Sequence, residues 1–161
     1  MDMYRINVND LQEDEINYEL TIRMCSVNEP LESKRRTLRK LLRQPEDTSQ
    51  SIRSHYSLLV DYTTVPDKLE EIERLIRTGE SSGCLSRLVH YHKRIRRYVT
   101  QDPDQKNRQQ LLLYVISQLA IRYYAIDFCN ALWTIPTMNL ISFPASEPSP
   151  ATPNAIANLA E

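Results

Sequence analysis

Three features of the 161-residue chain predict an all-α fold: it has only two glycines, its apolar residues recur at three- and four-residue intervals, and Pro30, Pro45 and Pro103 stand between those periodic stretches. No stretch reads as a strand. A short N-terminal helix hairpin (residues 8–44) is expected, packed on or linked to an antiparallel helical bundle (48–133). A Pro-rich flexible tail (134–161) follows, carrying five of the nine prolines. The composition, 41% hydrophobic and 25% charged, is ordinary for a globular chain able to bury a core.

The first helix is expected to begin with Asp10 or Asp14 as cap. The acids Glu13, Asp14 and Glu15 suit the positive end of a helix dipole, and Ile16, Leu20 and Met24 carry the apolar stripe as far as about Cys25. "SVNEP" makes a loop, and Pro30 opens a second helix with Leu31, Leu38, Leu41 and Leu42 on one side and Arg36, Arg39, Lys40 and Arg43 on the other. A long helical region follows Pro45, marked by Ile52, Tyr56, Leu59 and Tyr62, then Leu69, Ile72 and Ile76; Pro66 is expected to kink or restart it and Gly79 to end it. Leu85, Leu88, His92, Ile95 and Val99 define one face of the next helix. Asp102 then caps, and Pro103 begins, a last helix predicted over 103–132 and apolar on more than one side.

The net charge of −1 conceals blocks of alternating sign, from −5 over residues 1–30 to +5 over 31–44, and from −4 over 45–80 to +6 over 81–122. Such a chain is no wholesale polyanion binder, but it has two basic faces suited to nucleic acid or an acidic partner. The first comprises Arg36, Arg39, Lys40 and Arg43. The second places Arg87, His90, Arg94 and Arg97 within about 80° on a helix wheel, beside Tyr91 and Tyr98, where arginine forks could meet phosphate. The competing reading of that second stripe is a solvated face paired with the acidic helix over 67–80.

The chemistry of an enzyme is not expected. His90 and His92, two apart on a helix, point about 200° away from each other and cannot share an ion. "GESSG" lacks the lysine of a phosphate loop, and no triad forms around His55. The odd cysteines Cys25, Cys84 and Cys129 suit neither a disulfide framework nor a metal site and read as reduced, at least half-buried thiols. No metal or cofactor is expected. Residues 1–10 lack a secretory apolar run, and "LLLYVISQLAI" is too short for a span of about 20 residues. An intracellular protein, cytoplasmic or nuclear and without membrane contact, is expected.

"DLQEDEINYELTIRMCSVNEPLESKRRTLRKLLR" resembles the SAP-like hairpin that opens Gag-like proteins of insect gypsy-type retroelements, in which a "DEL.YEL..RG" helix leads to an "RR..LR..L" helix. The matching positions are Glu15, Tyr18, Glu19, Leu20 and Arg23, then Arg35, Arg36, Leu38, Arg39 and Leu42. "LSRLVHYHKRIRRY", after the charged "KLEEIERLI", is similar to an arginine-rich helix of the same N-terminal regions. "MCSVNEP" stands where the hairpin loop usually carries glycine, and the zinc knuckle of Gag is missing from the sequence given.

The resemblance implies a Gag or a Gag-derived host protein, whose work is assembly, partner recognition and contact with RNA. Self-association, most simply as a homodimer, is expected through Tyr114, Ile121, Tyr124 and Phe128 on the last helix. Leu112, Val115, Ile116, Leu119, Tyr123 and Ile126 would form its inner face. The competing reading has "LWTIPTMNLISF" folding back over the outer face. A nucleic-acid-binding adaptor and a host-protein adaptor are the other expected roles.

Overall fold

The computed structural model describes residues 4–44 and 57–128. They are all-helical: a 3-10 turn at Val8–Asp10, then α1 (Glu13–Thr21), α2 (Leu31–Leu41), α3 (Leu58–Arg77), α4 (Cys84–Arg96) and α5 (Pro103–Tyr124). The chain divides into two units after Ile126, and all five helices belong to the first. The Pro-rich tail, Cys129, His55 and the first part of the expected long helix, with Ile52 and Tyr56, lie outside the described residues. No described helix is long and apolar enough to cross a membrane.

The hairpin has its own apolar centre. Ile16 and Leu20 on α1 meet Leu38 of α2, with Val8 and Leu11 closing the end and Leu31, Leu41 and Leu42 half-buried around them. Between the two helices Lys34 is buried, and its ammonium donates to Glu13 at 2.7 Å, Asn17 at 2.8 Å and the Val27 carbonyl at 3.3 Å. Neither Asp10 nor Asp14 is the cap of α1. Asp10 sits in the 3-10 turn, and Gln12 takes the cap position, its amide donating to Glu15 Oε1 at 2.8 Å.

α1 also ends sooner than its apolar stripe suggests. Met24 turns left-handed (φ 64°), the Cys25 amide reaches back to the Leu20 carbonyl, and the Met24 side chain is exposed rather than part of the stripe.

α3, α4 and α5 pack against one another, and α4 also meets the 3-10 turn. α3 is assigned as one helix through Pro66, which lies on its exposed side. It stops at Gly79 (φ 88°), with Glu80 bonded back to Leu75, as the sequence predicts. α4 is the central element, buried over nearly all its length from Cys84 to His92. Its Leu88 and Ile95 are core as predicted, but Val99 lies beyond its end and is exposed. α5 starts as expected, Asp102 accepting from the Asp104 amide at 3.1 Å before Pro103. It ends eight residues short of the predicted 132, where Ala125 adopts φ 57° and its amide bonds back to Ile121.

Candidate functional site

Charged groups converge most densely where α1 crosses α4. Glu15 and Glu19, one turn apart on α1, are both fully buried. Glu15 accepts from Arg87 Nε at 2.9 Å and from the Tyr91 hydroxyl at 2.7 Å. Glu19 lies 2.6 Å from His90 Nδ1, 2.7 Å from Arg23 and 3.4 Å from Arg97. Burial opposes the charge of Glu19, yet Arg97, His90 and Arg23 together hold its carboxyl well below the usual carboxylate range. One turn further along α4, Arg94 makes a bidentate pair with Asp61 of α3 at 2.8 and 2.9 Å, stacks 4.1 Å from the centre of the Tyr18 ring, and shares Asp61 with Tyr98.

These contacts correct the expected binding stripe. Arg87, Arg94 and Arg97 expose 4%, 13% and 8% of their side chains and face carboxylates inside the protein, so they are not available to phosphate. From the helix over 67–80, Glu71 lies 3.6 Å from Arg87; closer partners are on α1 and at the start of α3. The cluster binds helices together. Burial also raises the pKa of the Cys84 thiol, and keeps the hydroxyls of Tyr18 and Tyr91 protonated far beyond their ordinary range.

The other basic set is outward. Arg36 and Lys40 on α2 and Arg43 just past its end are exposed, and half-buried Arg39 donates to Asn9. Arg39 and Arg43 form one wall of a cleft of about 240 Å³ whose other cations are Arg5, from the N-terminal segment, and Lys93, from α4. Lys93, whose ammonium also sits 4.7 Å over the Tyr4 ring, continues into a second cleft with Arg96 and Arg97. Among the described residues no carboxylate lines either cleft. Sequence reasoning found Arg39 and Arg43 but missed Arg5, Lys93 and Arg96, whose proximity is a product of the tertiary fold.

Of the residues expected to join copies, Tyr114 and Ile121 are exposed by 46% and 42% on the outer side of α5. Tyr124 is half-buried, its hydroxyl donating to the Ser81 carbonyl at 3.1 Å and pushed up to a pKa of about 12 by burial. Phe128 is not part of that helix, which ends at Tyr124, and its ring is buried. On the inner side Leu112, Ile116 and Leu119 are core, whereas Tyr123 is only half-buried and donates to Glu73 at 2.8 Å. No protein-family model, curated protein or solved structure matches the chain.

Proposed function

We propose that this chain is a non-enzymatic, Gag-like assembly module that self-associates through the outer face of α5. The observation that carries the reading is an uncharged strip. Asn107, Gln110, Leu111, Tyr114, Gln118 and Ile121 follow one another on one side of the helix, each at least partly exposed, with no charged residue among them. In a chain one-quarter charged, a solvent-facing helix side of this kind has the composition of an interface centre, where charges are depleted and tyrosine is enriched. Charged Arg122 and Arg108 stand beside the strip, as a polar rim does.

The hairpin lends the Gag-like reading separate support. The "DEL.YEL..RG" pattern puts its glycine at position 24, and Met24 adopts the left-handed conformation that glycine adopts most easily. Light scattering coupled to size exclusion tests the assembly. The unmodified protein should gain mass with concentration, and Tyr114→Ser with Ile121→Asp should give a folded monomer. A protein that stays monomeric at high micromolar concentration removes the reading. An adaptor role, the second reading, is favoured by the outward basic side of α2.

A further inference from the structure

We propose that the outer face of α5 pairs with the same face of a second copy in one antiparallel register, fixed by two reciprocal ion pairs between Asp104 of one copy and Arg122 of the other. This rests on the self-association proposed above and adds its geometry. Asp104 and Arg122 are both exposed and belong to one uninterrupted helix. They are 18 residues apart, which is five whole turns at about 3.6 residues each. The acid and the base therefore lie on the same flank of the uncharged strip, at its two ends, about 27 Å from each other. A two-fold axis between antiparallel helices keeps each flank beside its own equivalent and reverses its direction. The acid at one end then meets the base at the other, twice.

The same register fits the apolar members of the strip together. Its axis passes level with residue 113, which brings Tyr114 beside the partner's Tyr114, seats Leu111 between the partner's Tyr114 and Gln118, and sets Ile121 between the partner's Pro103 and Asn107. Sliding one helix by a turn brings Arg122 level with the partner's Arg108, a like charge; sliding it the other way leaves Arg122 beyond the first residue of the partner's α5. A parallel pair sets each flank against the opposite one, where Lys106 and Tyr124 stand and Arg122 meets no carboxylate. Within its own chain Arg122 lies 3.1 Å from Glu73 with 60% of its side chain exposed. Turning it toward a partner strands no charge, because Glu73 also accepts from Tyr123 at 2.8 Å and lies 3.4 Å from Arg77.

A single helix pair is a small interface, so the test follows the mass of the full chain by light scattering from about 10 to 500 μM. Asp104→Arg and Arg122→Asp each turn both attractive pairs into like-charge pairs, and each variant alone should associate about tenfold more weakly than the parent. Mixed one to one, the two variants regain opposite charges at both pairs, and the mixture should return to within about twofold of the parent's affinity. The double reversal in one chain leaves the net charge unchanged and should also associate as the parent does. Asp104 stands in the first turn of α5, where an acid suits the helix dipole, so circular dichroism checks that helix content holds. Where a reversal unfolds the chain, Asp104→Asn takes its place: association of the parent should weaken between about 50 and 500 mM salt, and that of Asp104→Asn should not. Single variants that associate as the parent does, a mixture no heavier than either variant alone, a double reversal that stays monomeric, or equal salt dependence with and without the carboxylate would each overturn this register while leaving assembly through α5 standing. A parent that is monomeric throughout removes the assembly reading, and the register with it.

Discussion

Glu15 and Arg87 lie 2.9 Å apart, with 0% and 4% of their side chains exposed, and together they fasten the hairpin to the central helix. Losing one partner leaves the other charged and buried, which typically costs about 3–5 kcal/mol, whereas replacing both is often nearly neutral. Arg87→Met alone should therefore lower the urea midpoint sharply. Adding Glu15→Gln, whose amide oxygen can still accept from Tyr91, should recover most of the loss. A double variant as unstable as the single one would show that the pair is not what Arg87 contributes.

Why this pairing escaped sequence reasoning is instructive. Periodicity gives the apolar side of each helix, and it located Leu38, Leu88, Ile95 and Ile116 correctly, because an apolar residue is buried wherever it finds company. It cannot tell a basic stripe bound for solvent from one bound for buried carboxylates. α4 carries both kinds of side: Leu88 and Ile95 are core, and Arg87 and His90 are buried as well, with Arg94 partly so, because Glu15, Glu19 and Asp61 are there to receive them. The signal was present as complementarity. Glu15 and Glu19 repeat every four residues on α1, and Arg87, His90, Tyr91 and Arg94 repeat at three and four on α4, but matching them requires knowing that the two helices touch. The end of α5 was illegible for another reason, since Ala125 offers no glycine or proline to announce a left-handed stop.

His92 makes stability depend on pH in a window of its own. Its Nδ1 lies 2.7 Å from the Tyr4 hydroxyl, and burial, reinforced by Arg96 and Lys93, pushes its pKa down to about 3. In the unfolded chain the imidazole takes its proton near pH 6.5. Between roughly pH 6.5 and 3 the unfolded state thus binds more protons, and stability falls with falling pH by up to about 1.4 kcal/mol per unit. Above that range His92 contributes no slope. Glu19, whose pKa is depressed, adds stability that is present above about pH 4.3 and is lost only at more acid values. Urea titrations of His92→Gln from pH 7 to 5 should be flatter than those of the parent; identical slopes would remove His92 as the source.

Met24 is the least comfortable residue of the hairpin. An L-residue in the left-handed region costs about 1–2 kcal/mol, and glycine there gives back part of this through its freer unfolded chain. Because 77% of Met24 is exposed, little packing is lost on truncation. Met24→Gly should gain about 0.5 kcal/mol and Met24→Val, β-branched, should lose about 1. Thermal melts that rank valine at or above methionine would contradict the assigned turn.

The two glycines, Gly79 and Gly83, share the same backbone region, φ 88° and 85°, but differ in what surrounds them. A Cβ at position 79 would meet nothing within 4 Å, so Gly79→Ala carries only the conformational penalty, about 1 kcal/mol. At position 83, the residue before α4, a Cβ would lie 2.9 Å from Asp10 Cβ and 3.0 Å from its carboxyl. The Asp10 Cβ is fixed to the 3-10 turn and cannot rotate away, so the turn itself has to move, and overpacking of this kind adds about 1–3 kcal/mol. Gly83→Ala should therefore be the more destabilising change by at least about 1 kcal/mol. The excess should also couple to Asp10. Against a background of Asp10→Gly, which removes the opposing Cβ, the cost of Gly83→Ala should fall toward that of Gly79→Ala, whereas the cost of Gly79→Ala should not change. Equal costs for the two alanine variants, or no coupling to position 10, would mean that the 3-10 turn does not press on the start of α4 as the structure has it.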